Sequence, residues 1–589
     1  MNIFNPMKHW ARTTAMVAAW ICATTMMATP AKWNPFTVTN SDGTTLTLVL
    51  RGDENYHFYT TTEGVPVLQL DNGDWRLAPE LADSIAETWT RRSQRKHFRR
   101  NQPTLDTRTQ IGVRQTFTGS RKGLVILLNF KNLNMKSTST QQKWSRQFNE
   151  EGYDENGHIG SVHDYFYDQS YGKFDLTFDV VGPVKVSNDY GYYGQNDKDG
   201  DDSHVAELAA EVCRLADQNY DIRWSDYDWD NDGEVDQVVI IYAGYGESSG
   251  APANTIWPHE WSLTEGASYG DGKGPITLGG RTIDSYAACC ELSGTIGSRM
   301  DAIGTACHEF AHCLGLPDFY DTSYSGGFGM DAWDLMGAGS YNGARNDGEI
   351  PAGFTAYERW FAGWLDFTEL TEPCTVADMP DLQDEPVAYL IHNDNNHDEY
   401  FTLENRQAVR WNQYVYSTDN CHGMLVCHVD YDKKAWEQNT PNNEAKHQRM
   451  TIIPAGGEYG TLTGSKGNQA YYVSDSQYRS QLFPGSKNVT ELTDESHNDY
   501  GGKLYNRNTD ATYLMHKPIT NIVETDGLLS FDFMGGGAPI SIGSIPTDAH
   551  SDTPSTVYYT LEGIPVAPPT ARGIYIIRQG TQTRKVAIP

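Results

Sequence analysis

Apolar residues run almost unbroken through 124–130 (LVILLNF) and again through 237–243 (QVVIIYA). Runs of this kind, without polar alternation, predict strands buried on both faces. Between them, residues 205–217 (VAELAAEVCRLAD) repeat their apolar positions every three to four residues, which predicts an amphipathic helix. Strands and helices interleave in this way across 116–370, so an α+β domain is expected there. From 371 to 535 the pattern turns strand-like and rich in turn residues, as in a β-sandwich-like domain. Upstream, short strand patterns at 45–50, 56–60 and 65–70 are punctuated by Gly43, Gly64 and the DNGD run at 71–74. The RGD at 51–53 reads as a turn closing the first of them. Gly535, Gly536 and Gly537 open a flexible joint, and 536–589 holds two strand-like runs around Gly563 and Gly573.

Composition narrows the function. The 589 residues carry 45 Lys and Arg against 77 Asp and Glu, a formal charge of −32. Nucleic-acid binding needs a basic face that displaces counterions, so it is excluded as the primary role. Hydrophobic residues at 38% and aromatics at 12% are enough for packed cores. The charge is uneven: residues 1–100 hold 11 basic and 9 acidic residues, so the acidity lies downstream of them.

Lys8 and Arg12 precede an apolar stretch at 13–27, and small residues follow at Ala28 and Ala31. This is the layout of a signal peptide (1–31), cleaved after Ala28 or Ala31. The stretch falls short of the roughly 18 residues that read as a membrane span, and no transmembrane segment is expected elsewhere. Residues 32–115 are then expected to be a small β-rich propeptide ending in a basic linker. The run RRSQRKHFRR at 91–100 is either a solvated helix face or a segment open to processing proteases. Removing the signal leaves eight cysteines, an even number that permits disulfides in an exported chain. Cys421 and Cys427 are close enough for a local bridge. Cys307 and Cys313 are expected to pack or to bridge, with Cys289 or Cys290 as partners.

The chemistry is concentrated in CHEFAHCLGLPD, residues 307–318. His308 and His312 stand four apart, roughly 40° around a helix that turns about 100° per residue. Both imidazoles therefore share one face and can hold one zinc ion. Glu309 projects about 60° from His312, where its carboxylate can act on water as a general base. Gly315 ends the helix through a left-handed φ, and Pro317 prevents its resumption. The chain must turn back, which brings Asp318 toward the same ion as third ligand, with Asp321 as the alternative. Two histidines and a carboxylate leave a fourth position for water, as in catalytic zinc sites. Met336 lies in the turn WDLMGA at 333–338. Tyr341 and His259 are guesses for a group that stabilises the oxyanion.

HEFAHCLGLPDFYD (308–321), the WDLMG turn and ENRQ (404–407) resemble the immune-inhibitor-A-like family of secreted bacterial metallopeptidases. So do VHDYFYDQSYGKFDLTFDVVGPV (162–184) and YDWDNDGEVDQVVIIYAGYGE (227–247). The resemblance implies a zincin fold of metzincin type with Met336 beneath the metal, endopeptidase action on proteins or peptides, bound calcium and a removable propeptide.

Asp228, Asp230, Asp232, Glu234 and Asp236 with Gly233 give D-x-D-x-D-G-x-x-D, the oxygen pattern of a calcium loop. Position 12 of an EF-hand would be Val239, so the loop is either completed from elsewhere or is a plain acidic turn. Asp197, Asp199, Asp201 and Asp202 form a second acidic loop with the same two readings. The tail, 557–587, resembles the C-terminal sorting segments of Bacteroidetes type IX secretion substrates. Leu561-Glu-Gly563, Gly573-Ile-Tyr-Ile576 and Arg584-Lys585 carry that likeness, and the outer-membrane secretion machinery would be its partner. The same residues could form a stabilising hairpin. The competing reading for the whole chain is a secreted adhesin, binding glycan or protein through its β-rich half.

Overall fold

The computed structural model describes residues 31, 35–53, 56–70, 72–92, 108–109, 112–113, 116–197, 202–464, 469–496, 503–541, 556–559, 565–566, 573–579 and 582–588. The signal-peptide region before Ala31, most of the basic run at 91–100 and Gly563 lie outside these residues. The chain divides into two compact units, Met1–Ile540 and Ser541–Pro589.

The first unit opens with a three-stranded antiparallel sheet: β1 (Phe36–Thr39), β2 (Thr45–Asp53) and β3 (Tyr56–Thr61). A hairpin and helix α1 (Ala82–Arg92) follow. The RGD expected to be a turn is the last part of β2, with Arg51 and Asp53 buried. A turn residue would face water, but these side chains are covered by the rest of the unit.

The central sheet contains β6 (Gly119–Asn129), β7 (Phe174–Lys185), β8 (Val238–Tyr245), β9 (His259–Ser262) and β10 (Ser285–Leu292); the hairpin at 67–77 supplies β4 (Val67–Gln69) and β5 (Trp75–Leu77). Its order is β9-β10-β8-β6-β7, parallel throughout except for β9, the antiparallel edge strand. The apolar runs of the sequence become strands whose alternate residues enter two cores. Val125, Leu127, Val239, Ile241 and Cys289 face one side, which also holds the metal-motif helix. Leu124, Ile126, Val238, Ile240 and Cys290 face the other, against the predicted helix, observed as α4 (Val205–Asn219) after α2 (Gln141–Asn149) and α3 (Val162–Gln169). With no free face, a polar residue at any of these positions would be desolvated, which explains the absence of polar alternation.

Beyond 367 two sheets follow. One holds β11 (Thr368–Glu369), β13 (Tyr389–Asn393), β14 (Asn396–Arg406), β15 (Gly423–Asp430) and β16 (Met450–Ile452). The other includes β12 (Cys374–Met379), β17 (Ile519–Thr525) and β18 (Leu528–Phe533). Met424 and Val426 of β15 pack between the two sheets with Phe531 and Phe533. Leu425, Cys427 and Val429, the alternate set, join the core that contains the metal-motif helix. The β-rich part and the helix thus share one apolar interior.

The described cysteines, Cys213, Cys289, Cys290, Cys307, Cys313, Cys374, Cys421 and Cys427, are all free thiols, so of packing and bridging it is packing that is observed. Cys289 and Cys290 point to opposite faces of β10, so they enter different cores. Burial pushes the Cys289 and Cys307 thiols well above their ordinary range, so both stay protonated and inert.

The second unit is a four-stranded antiparallel sheet of Thr556–Tyr559, Pro565–Val566, Gly573–Gln579 and Gln582–Ile588, where two strand-like runs were expected.

Candidate metal centre

Helix α5 (Ile303–Cys313) carries the motif and is buried along most of its length. Gly304 lets its first turn approach a neighbouring loop. A Cβ there would stand 1.9 Å from the Ser340 carbonyl oxygen. The helix stops at Leu314, and Gly315 takes φ 90°, the left-handed conformation that only glycine adopts cheaply. This turn puts the Leu316 carbonyl 2.9 Å from Nδ1 of His312. The Leu335 carbonyl, in the WDLMG turn, stands 2.8 Å from Nδ1 of His308. A carbonyl only accepts, so both histidines carry their proton on Nδ1 and present a bare Nε2.

The two Nε2 atoms are 3.2 Å apart. Oδ1 of Asp318 lies 3.2 Å from the first and 3.4 Å from the second. None of these three atoms has a proton to share, so without a cation their lone pairs would repel. Ligands about 2.0–2.1 Å from a tetrahedral ion stand roughly 3.3 Å apart. The triangle therefore fits zinc. Asp318 is 2% exposed, and its Oδ1 accepts no hydrogen bond. Glu309 is fully buried, with a carboxylate oxygen within 4.8 Å of the histidine ring nitrogens.

Asp321 is used differently. Its carboxylate accepts from the backbone amides of Ser323, Ser325, Gly326 and Gly327 and from both serine hydroxyls, closing its own loop. Met336 is fully buried in the core around α5, and its carbonyl accepts from the Phe319 amide at 2.8 Å. The turn thus braces both the helix and the segment carrying Asp318. His259 has both ring nitrogens engaged, by the Trp257 carbonyl and the Tyr286 hydroxyl, and burial lowers its pKa to about 4. It is a neutral group engaged in structural contacts, which argues against the oxyanion role guessed for it from sequence.

Asn439 was not anticipated. It lies 121 residues beyond Asp318, and its side chain contacts both the backbone and the carboxylate of that residue. No sequence signal marks it, because nothing local ties the two positions together. Arg406 of the ENRQ run donates to the Trp333 carbonyl, to Gly353 and to Glu404, linking β14 to the WDLMG turn.

In the acidic loop, Asp228, Asp230 and Asp232 bring carboxylate oxygens within 4.8 Å of one another, and Gly233 takes φ 97°. Glu234 follows at the position whose backbone carbonyl would face the ion, and Asp236 accepts from the Trp229 amide at 2.7 Å. Asp228 is partly engaged, pairing with Nε of Arg281 at 2.6 Å. In the second acidic loop, Asp202 accepts from the Trp257 amide, and residues 198–201 lie outside those described.

Residues 120–364 match the family described as immune inhibitor A peptidase M6, catalytic domain. The pre-pro-metalloprotease PrtV of Vibrio cholerae serotype O1 is 29% identical over 219 residues, covering 34% of this chain and 23% of that protein. Immune inhibitor A of Bacillus thuringiensis subsp. alesti is 26% identical over 280 residues, covering 41% of this chain and 39% of that protein. The chain thus spans less than half the length of these relatives. The stretch that matches this family, residues 120–364, is the one that carries the histidine pair.

Proposed function

We propose that this chain is a secreted zinc endopeptidase made as a proenzyme. The observation that carries the reading is the triangle of His308 Nε2, His312 Nε2 and Asp318 Oδ1, with Glu309 beside it. Zinc held by these atoms would polarise the scissile carbonyl and acidify a water. Glu309 takes the proton from the attacking water and delivers it to the leaving amine nitrogen. Buried beside the two imidazoles, it is kept from bulk solvent at the point where that proton moves. The carbonyls of Leu335 and Leu316 keep both imidazoles in one tautomer throughout.

Further features support the finer reading. The sheet with a single antiparallel edge strand, and Met336 buried in the core around α5, fit a metzincin-type domain. The two sheets around Met424, Val426 and Phe531 fit a β-sandwich. The N-terminal β sheet sits against the loop after the metal motif. The Tyr324 hydroxyl donates to the Gly52 carbonyl at 2.6 Å, and Arg51 reaches Thr463. This is where a propeptide would cover the domain, and with no cysteine in 32–115 it does so without a thiolate. The Asp228-Asp230-Asp232 trio would hold calcium, and the terminal sheet would serve export. Among the described residues no helix is long and apolar enough to cross a membrane.

The test is hydrolysis of casein by the matured protein, with and without a zinc chelator, beside Glu309→Ala. Losing the general base is expected to slow turnover about 10²–10⁴-fold with zinc retained. Equal rates for metal-loaded wild type and Glu309→Ala would sink the proposal.

A further inference from the structure

We propose that Asn439 is a positioning residue for the metal centre: it aims the Asp318 carboxylate at the two histidines from outside the catalytic segment. The inference rests on the zinc reading above.

The contact is reciprocal. The side-chain oxygen of Asn439 accepts from the Asp318 backbone amide at 2.6 Å, while its side-chain NH₂ donates to Oδ2 of Asp318. Oδ2 is thereby occupied, and Oδ1 is left toward the imidazoles at 3.2 and 3.4 Å. Fixing both the backbone and one carboxylate oxygen leaves the side chain little freedom to rotate. That is the role of outer-shell partners, which orient ligands and raise affinity.

The residue type is constrained twice. Asn439 follows the short helix α6 (Lys433–Glu437) at φ 56°, a left-handed conformation that glycine and asparagine tolerate best. Glycine would satisfy the backbone but not Asp318. Aspartate would satisfy the shape, but would place a second carboxylate against Oδ2. Only asparagine offers the left-handed backbone together with one acceptor and one donor.

The surrounding chain holds Asn439 in place. Asn442 donates to the Phe319 carbonyl, Asn443 accepts from Thr322, and Gln448 accepts from the amides of Phe328 and Gly329. The strap 439–448 therefore grips the whole loop 318–329, and it lies beyond residues 120–364 that match the peptidase family. The β-rich part thus supplies a working element of the site.

The test uses the full-length chain with Asn439→Gly, Asn439→Asp and the strap control Asn443→Ala. Zinc affinity is read by competition with a chromophoric chelator, and ligand geometry from the visible spectrum of the cobalt-substituted protein. Both Asn439 variants are expected to lose about 10- to 100-fold in zinc affinity and to change the cobalt spectrum. Asn443→Ala is expected to melt earlier but keep the wild-type affinity and spectrum. Wild-type affinity and spectrum in the Asn439 variants would overturn the proposal. So would an equal affinity loss in Asn443→Ala, or unfolding of both Asn439 variants, since either assigns the strap a packing role only. Failure of the wild-type chain to bind zinc or cobalt would instead overturn the zinc reading itself.

Discussion

His308 donates from Nδ1 to the carbonyl oxygen of Leu335, 2.8 Å away across 27 residues. One bond ties the metal-motif helix to the WDLMG turn and fixes which ring nitrogen faces the site. The turn is held in place from behind, where Arg406 donates to the Trp333 carbonyl. Arg406 and its neighbour Glu404 are both buried and paired at 2.9 Å. The ENRQ run singled out in the sequence is thus a brace for the metal centre, not a second site.

The two aspartates after the helix should separate cleanly. Asp318→Asn is expected to lose tightly held zinc on dialysis, because a neutral amide replaces a ligand carboxylate. Asp321→Asn is expected to keep zinc and lose about 1–3 kcal/mol of stability, as loop amides lose an acceptor oxygen. Metal analysis and denaturant unfolding of the two variants check this.

The β-rich part should show a defined acid sensitivity. Burial pushes the Glu399 carboxyl up. The His428 ring at 2.9 Å, with the Tyr505 and Asn506 amides, outweighs burial and holds it below its ordinary range. A carboxyl whose folded pKa is depressed stabilises the fold above its unfolded pKa, near about 4.3. That stability is lost as pH falls through the lower folded value. Glu399→Gln should therefore lower the melting temperature clearly at pH 7, and the gap should close as the pH is taken toward 3. A gap that stays constant with pH would contradict this account.

Calcium should stabilise the chain through the 228–232 loop. At a free concentration 100 times the dissociation constant, binding adds about 2.7 kcal/mol. A chelator selective for calcium should lower the melting temperature of the wild type. The double variant Asp230→Asn, Asp232→Asn should melt at the lowered temperature whether or not calcium is present.

The thiols should be countable. Titration of the denatured, unreduced chain of residues 32–589 should find all eight cysteines free. Native melting should be indifferent to a reductant, because no disulfide supports the core among the described residues.

Much of this protein is legible in local sequence because its causes are local. The His308–His312 spacing, the Gly315 stop and the unbroken apolar runs of β6 and β8 follow from helix and strand periodicity alone. The acidic repeat at 228–232 likewise declares its loop by spacing, and the structure brings the carboxylates of Asp228, Asp230 and Asp232 together. What depends on chain segments meeting in space could not be read the same way. Asp318 and Asp321 are three residues apart, and either could have turned toward the histidines. Asp321 is taken up by four amides of its own loop, while Asp318 is seized by Asn439 from a segment 121 residues away. The cysteines are even in number, yet the eight described ones are buried or half-buried free thiols. Residues 51–53 looked like an exposed turn and became a buried strand end. Periodicity fixes the direction of a side chain relative to its own helix or strand; only packing decides what it meets there.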